Sequence, residues 1–275
     1  MRYPHNQFYE EQYSTSIGFD GDENALFASW ARQSEQARQL LVCDLAIPYG
    51  SGHRETIDFF FAENRENWLV VIHGGYWRST ASRDYHFIAP QLIQSGWNIA
   101  FIEYDLAPVV SLHTIVEQCR RAITWLLRDY HIPIERLIVS GHSAGGHLTG
   151  MMWTTDWGRY HVDANRIAGG IALSSLFDLD PIAHTNRNSD LKLSPDDVQQ
   201  LSPARLKPTV TAPLVIATGA LESAEFHRQS AILRGILEWQ AITHALSLKD
   251  CHHYNILNTL TDSNSDIWKT LNKML

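Results

Sequence analysis

The sequence predicts an α/β fold in which an open, mostly parallel sheet of about eight strands is flanked by helices. Short β-type runs alternate with helical segments along most of the chain, and the order is βαβα after a first pair of strands. Several runs, such as WLVVIH and PLVIATG, are continuously apolar. Such runs are typical of strands buried on both faces, and this indicates a parallel sheet covered by helices.

The individual elements follow from these patterns. The first predicted helix covers residues 23–41, which are rich in Ala, Glu, Gln, Arg and Leu. In the next one, at 112–130, apolar residues recur at helical spacing on one face. Strands are expected at 43–48, 56–62, 68–73, 98–104, 136–140, 167–173, 214–218 and 245–248, and two further helices at 223–239 and 266–275, with Pro133 ending a connection.

The whole chain, residues 1–275, is expected to form a single domain. Its composition, 44% hydrophobic and 19% charged, is that of a soluble globular protein. One segment, residues 178–213, is polar and rich in proline. It is too short and too polar for a core of its own, so we interpret it as a small lid-like excursion over the carboxyl edge of the sheet.

Charge and composition exclude several classes of function. The net charge is −8 and the basic residues are scattered, which argues against nucleic-acid binding. No apolar run has the roughly 18 residues of a membrane span, and the first residues do not resemble a signal peptide. The three cysteines form no CxxC pair, which favours a reducing compartment. A cytoplasmic protein is therefore expected.

The sharpest motif is Gly141-His142-Ser143-Ala144-Gly145, which reads G-x-S-x-G. It follows the predicted strand RLIVS and precedes a helical run, which is the context of a nucleophile elbow. Small residues two before and two after the serine let the backbones approach closely. Ser143 is therefore the candidate nucleophile of an α/β-hydrolase fold.

A second motif, His73-Gly74-Gly75-Tyr76-Trp77, follows the apolar run WLVVI. Acyl transfer creates an oxyanion, and paired glycines after a buried strand can expose backbone N–H groups to stabilise it. The expected donors are the N–H groups of Gly74 and Gly75, or of Gly75 and Tyr76, together with that of Ala144.

A serine needs a base, and the base needs an acid, in the chain order Ser, Asp/Glu, His. Glu222 lies just beyond the strand PLVIATG, where the acid belongs, with Glu225 as the alternative and Asp178 and Asp180 as weaker ones. After the last predicted strand, His253 is the candidate base and His252 the alternative.

Metal and nucleotide signatures are absent from the sequence. There is no HExxH motif, no paired cysteine spacing, no phosphate loop and no dinucleotide fingerprint. His142 and His147 flank the elbow, but such a pair alone is more often structural. We expect no cofactor.

The motifs HGGYW and GHSAG and the stretch ESAEFHRQS at 222–230 together resemble the kynurenine formamidase (arylformamidase) family, and SSLFDLDPI at 174–182 is also similar. HGGxW and EF-RQS are much more specific than the elbow, and the resemblance runs from about residue 68 to 253. It implies a metal-independent α/β-hydrolase that converts N-formyl-L-kynurenine into L-kynurenine and formate in tryptophan catabolism.

The resemblance also assigns residues. The family's serine corresponds to Ser143, its base to His253 and its HGGxW glycines to Gly74 and Gly75. The family's acid is commonly Asp where this chain has Glu222, whose longer side chain must be seated differently.

The substrate is expected to be a small molecule, N-formyl-L-kynurenine or an aryl ester. Because formyl is tiny, we expect a tight acyl pocket and an aromatic leaving-group pocket, with Tyr76 and Trp77 as candidate walls. Arg187 and Asn188 are candidates for binding a substrate carboxylate, although solvated lid residues are the simpler interpretation. A general carboxylesterase and a non-catalytic binding protein on the same scaffold remain alternatives, and a homodimer is compatible with the sequence.

Overall fold

The computed structural model describes residues 3–63, 66–130, 134–240 and 242–274. A sheet in the order β1-β2-β4-β3-β5-β6-β7-β8 runs through it. The strands are β1 Cys43–Pro48, β2 Thr56–Phe60, β3 Asn67–Ile72, β4 Trp97–Ile102, β5 Leu137–His142, β6 Ile167–Leu173, β7 Leu214–Gly219 and β8 Thr243–Leu248. The pairs β1/β2 and β2/β4 are antiparallel and the rest are parallel, so the predicted fold class is confirmed.

Helices cover the sheet and connect its strands. They are α1 Gln7–Gln12, α2 Glu23–Leu40, α3 Ala89–Gln94, α4 Leu112–Arg128, α5 Ala144–Trp153, α6 Asp180–Ala183, α7 Asn188–Leu191, α8 Pro195–Leu201, α9 Ala224–Gly235, α10 Leu237–Gln240 and α11 Asp266–Leu271. In the described part of the chain, no helix combines the length and hydrophobicity that a bilayer crossing requires.

Alternation along β3 shows why its run is apolar throughout. Val70 and Ile72 pack into one hydrophobic cluster, with α4 and α5, whereas Leu69 and Val71 pack into a second cluster, with α3 and α11. Successive side chains of a strand point to opposite faces, so a strand with a core on each side must be apolar at every position.

Some predicted boundaries differ from the structure. The helix predicted at 223–239 is divided into α9 and α10, because Gly235 ends α9 and Ile236 has an extended backbone. The strand predicted to end at Ser140 continues to His142, paired with β6. The last helix ends at Leu271 rather than 275. Pro133 and residue 275 lie outside the described residues.

The segment 178–213 folds as α6, α7, α8 and a 3₁₀ turn at Pro203–Arg205. Its apolar side chains Leu191, Val198 and Leu201 are buried in the same hydrophobic cluster as α4 and α5. The segment is therefore packed onto the main core after the carboxyl end of β6. Its role as a lid stays a prediction.

Candidate active site

Ser143 lies in a sharp turn between the end of β5 and the start of α5. Its backbone has φ 56° and ψ −118°, a strained conformation for a residue with a side chain. A Cβ at Gly141 would lie 2.1 Å from the carbonyl oxygen of Gly145, and one at Gly145 would lie 2.0 Å from that of Ile72. Only glycine fits at either position, so both are needed for the turn that presents the serine at the sheet edge.

Glu222 and His253 meet at the same edge. The Nδ1 atom of His253 lies 2.7 Å from Oε2 of Glu222, and both side chains are buried. Because a carboxylate only accepts, Nδ1 carries the hydrogen and Nε2 is left to take a proton. This is the geometry that the predicted base and acid require.

The longer glutamate side chain is seated by its second oxygen. Oε1 of Glu222 accepts hydrogen bonds from the Ser174 hydroxyl at 2.6 Å and from the Gly219 N–H at 2.7 Å. Ser174 follows β6 and Gly219 ends β7, so both donors are fixed by the sheet. The carboxylate therefore has only one orientation in which both of its oxygens are satisfied. Ser174 was not predicted from the sequence to be a site residue, although it is the first residue of the family-like segment 174–182.

Ser143 and His253 line one cavity of about 480 Å³. Among the hydrogen bonds of the described residues, none joins the Ser143 hydroxyl to His253. Catalytic hydrogen bonds are often long before substrate binds, so the shared cavity is the relevant observation. Polar residues, among them Thr15, Thr80 and Asp84, form part of its remaining walls. Aromatic side chains form another part: Phe27, Trp30, Tyr76, Tyr85 and Tyr254.

The oxyanion loop, residues 74–80, begins at the carboxyl end of β3 and differs from prediction at Gly74. The Gly74 N–H donates to the Tyr85 hydroxyl at 3.0 Å, so it is not available to an oxyanion. In the described chain no hydrogen bond is recorded for the N–H groups of Gly75, Tyr76 and Ala144. Of the two donor sets that the sequence left open, the structure therefore favours Gly75 and Tyr76 with Ala144.

Tyr76 and Trp77 have different environments. The Tyr76 ring lines the cavity, and its hydroxyl donates to the backbone oxygen of Tyr13 at 2.6 Å. Burial raises the pKa of Tyr76 to about 12. Trp77 does not line the cavity, contrary to prediction: it is fully buried, and its Nε1–H donates to Nδ1 of His147 at 3.2 Å. The backbone is left-handed at both residues, and the Trp77 side chain points into the core.

The alternative acids and base have other partners. Glu225 accepts from the Tyr13 hydroxyl at 2.8 Å and pairs with Arg228. Asp178, a weaker candidate for the acid, pairs with Arg205. Asp180, the other weaker candidate, is the first residue of α6. The ring of His252 packs against Phe19, and its Nδ1 accepts from the Tyr254 N–H. Among the described residues, none of these four side chains forms a carboxylate–imidazole hydrogen bond like the one between Glu222 and His253.

Arg187 and Asn188 do not line the cavity. The Arg187 guanidinium lies 4.3 Å from the centre of the Tyr76 ring, on the side where it also binds Glu10 and the Tyr13 backbone. The Asn188 amide is engaged within its own segment, with Ala183 and Leu193. Neither side chain is placed to bind a substrate carboxylate in this cavity.

The N-terminal part of the chain supplies one side of the cavity, which sequence analysis missed. Phe27 and Trp30 lie one turn apart on α2 and face the cavity, as does Thr15. Thr15 and Tyr254 share a hydrogen bond between their hydroxyls at 2.8 Å. The signal in the sequence was the pair of aromatic residues at i and i+3 in an otherwise polar helix.

The chain is similar in sequence to several known proteins. A family model described as BD-FAE matches residues 57–175. Kynurenine formamidase of Salmo salar is 29% identical over 98% of this chain and 94% of its own length, and that of Danio rerio is 27% identical with the same coverage.

Solved structures extend the likeness to the whole fold. A Silicibacter protein provisionally described as a thioesterase has a TM-score of 0.88 and 26% identity, covering 97% of this chain and 100% of its own. An esterase of the bacterial hormone-sensitive lipase family has a TM-score of 0.70 and 16% identity, covering 91% of this chain and 97% of its own.

Proposed function

We propose that the chain is an α/β-hydrolase of the kynurenine formamidase type and that it hydrolyses N-formyl-L-kynurenine to L-kynurenine and formate; its similarity to the formamidases of Salmo salar and Danio rerio supports this. One observation carries the proposal: Ser143 and the Glu222-bound His253 line a cavity that five aromatic side chains also line. Such a site suits an aryl substrate with a small acyl group at the serine.

In the proposed acylation step, the Ser143 hydroxyl attacks the formyl carbon and its proton passes to Nε2 of His253. Negative charge develops on the formyl oxygen, which the N–H groups of Gly75, Tyr76 and Ala144 would stabilise. The C–N bond then breaks, and His253 gives its proton to the departing arylamine. Ser143 is left as a formyl ester.

In the second step water attacks this ester, with His253 again accepting the proton. Formate leaves, and the proton returns to the Ser143 oxygen. Glu222 keeps the bonds from Ser174 and Gly219 at Oε1, and its Oε2 orients His253 and stabilises the imidazolium.

The aromatic walls support an arylamine leaving group. Trp30 and Tyr85, from α2 and the 3₁₀ turn Ser82–Ile88, lie on the side of the cavity formed with Phe27. Stacking on aromatic rings stabilises a planar aryl group in addition to removing its apolar area from water. A cavity of about 480 Å³ falls within the range typical of sites for small molecules.

The first prediction concerns the substrate. Steady-state hydrolysis of N-formyl-L-kynurenine should exceed that of a simple aryl acetate in kcat/KM. Replacing the nucleophile, Ser143→Ala, should lower kcat on both substrates by at least about 10³-fold.

Turnover of the acetate alone would support the esterase alternative and contradict the formamidase proposal. Equal rates for Ser143→Ala and wild type would show that the nucleophile is wrongly assigned. Labelling of wild type, but not of the variant, by a fluorophosphonate provides an independent control.

A further inference from the structure

His142, the residue before the nucleophile, is buried between two loops of the site. Its Nε2 lies 2.7 Å from the backbone oxygen of His253, in the base loop, residues 249–254. Its Nδ1 lies 3.2 Å from the hydroxyl oxygen of Tyr85. Both ring nitrogens therefore have partners, one on each side of the elbow.

The chemistry of the partners fixes the direction of each bond. A carbonyl oxygen can only accept, so Nε2 of His142 carries the hydrogen and Nδ1 is the acceptor. The Tyr85 hydroxyl must then donate to Nδ1, and its oxygen is free to accept from the Gly74 N–H at 3.0 Å. The result is one directed series: Gly74 to Tyr85 to His142 to His253.

Building on the proposed function, we propose that His142 and Tyr85 are positioning residues that hold the oxyanion loop and the base loop at a fixed separation across the nucleophile elbow. The oxyanion loop starts at Gly74 and the base loop contains His253. His142 sits between them because it ends β5. Each loop is thus held from the same strand that presents Ser143.

Burial makes these bonds effective. Tyr85 and His142 are buried, so water does not readily replace a lost partner, and an unsatisfied buried group costs free energy. Burial, together with the neighbouring His253, holds the pKa of His142 well below its usual range. The imidazole therefore stays neutral, which is the state that the series of bonds requires.

The competing interpretation is that His142, which also lines the cavity, transfers protons as a second base. Two substitutions separate the possibilities. In His142→Gln the side-chain amide keeps one donor and one acceptor but cannot be protonated. In His142→Leu both are lost while a similar volume is kept.

The test measures kcat and KM on the formamide and on an aryl acetate, together with the rate of Ser143 labelling by a fluorophosphonate. We expect His142→Leu and Tyr85→Phe to lower kcat and the labelling rate by roughly 10- to 100-fold, with KM changed by less than about threefold. His142→Gln should recover most of that loss. The double variant Tyr85→Phe/His142→Leu should lose no more than the worse single variant, because both break the same series.

Equal losses in His142→Gln and His142→Leu would overturn the proposal in favour of proton transfer. Losses that multiply in the double variant, or singles within about twofold of wild type, would also overturn it. Tyr160→Phe, which removes the Tyr160 bond to Glu117 on another part of the molecule, is the matched control for a lost tyrosine hydroxyl. The acetate and the labelling rate report on positioning even if the formamide is not a substrate, so the two proposals fail separately.

Discussion

At the scale of single residues, the most informative position is Glu222. Its two oxygens are divided between holding the carboxylate, through Ser174 and Gly219, and orienting His253. The glutamate side chain is long enough to reach these donors and the histidine at the same time. A shorter aspartate would have to give up one of the two sets of contacts.

We expect Glu222→Gln to lower kcat by about 10³- to 10⁴-fold on any acyl substrate, because an amide no longer enforces the tautomer or stabilises the imidazolium. The matched control is Glu225→Gln, three residues on, which alters a buried carboxylate bound to Tyr13 and Arg228. Its kcat should change by less than about tenfold. A larger loss for Glu225→Gln than for Glu222→Gln would reverse the assignment of the acid.

Local sequence patterns predicted which residues form the site better than they predicted where the side chains point. The order of serine, acid and histidine follows from the fold, and the structure places Glu222 on His253 as that order requires. The prediction that Trp77 forms a pocket wall was wrong, and the Gly74 N–H, predicted as an oxyanion donor, is bound to Tyr85 instead. The direction of the Trp77 side chain depends on backbone torsions, and the partner of the Gly74 N–H is Tyr85, which lies outside the motif. The motif itself predicts neither.

At the scale of elements, the N-terminal segment 3–20 is attached to the family-like stretch at 222–230. The Tyr13 hydroxyl donates to Glu225 at 2.8 Å and accepts from Gln229 at 2.7 Å. The backbone oxygen of Tyr13 accepts from both Tyr76 and Arg187. Glu225 and Gln229 of that stretch thus anchor a segment distant in sequence, and neither segment alone predicts this contact.

Removing this anchor should weaken both the fold and the cavity. Tyr13→Phe removes one hydrogen-bond partner from each of two buried side chains, Glu225 and Gln229, so we expect the free energy of unfolding to fall by roughly 2 kcal/mol. We also expect KM to rise several-fold, since Tyr76 and Thr15 line the cavity. Urea unfolding and steady-state kinetics measure the two effects.

Tyr9→Phe, at a partly buried tyrosine of the same segment, serves as the comparison. If both variants behave alike, or if Tyr13→Phe leaves stability and KM at their wild-type values, the segment is not anchored as described.

At the scale of the whole molecule, a buried ionic network ties the antiparallel end of the sheet to the oxyanion loop. Glu103 accepts hydrogen bonds from Arg54 at 2.6 Å, His73 at 3.1 Å and the Ser82 N–H at 2.9 Å. Burial raises the pKa of Glu103, but the charges of His73 and Arg54 and these bonds outweigh it and hold the pKa at about 2.

This network should make stability depend on pH. Because the pKa of Glu103 is lower in the folded state than its ordinary value of 4.5, its contribution is complete above that value and is lost as the pH falls towards about 2. The difference corresponds to roughly 3 kcal/mol. The free energy of unfolding of wild type relative to Glu103→Gln should therefore shrink by about that amount between about pH 6 and pH 2.

Urea unfolding at several pH values measures this difference, with the exposed Glu63→Gln as control. A difference that is constant over the range would show that Glu103 titrates alike in the folded and unfolded chains.

The fold class could be predicted from the pattern of apolar residues, because a parallel sheet covered on both sides leaves continuous apolar runs in the sequence. The walls of the cavity could not be predicted in this way, because Phe27, Trp30 and Thr15 reach the cavity through packing between segments that are distant in sequence. Pairings between segments more than 200 residues apart leave no local periodic signal.

The hydroxyl contact between Thr15 and Tyr254 spans 239 positions in the sequence. One wall of the cavity comes from residues before the first strand and another from residues after the last, so a chain that has not yet reached Tyr254 lacks part of the binding pocket. A chain emerging from the ribosome would contain Ser143 well before it contains His253, the proposed base. Recovery of hydrolytic activity during refolding thus reports assembly of the entire polypeptide, rather than formation of the sheet.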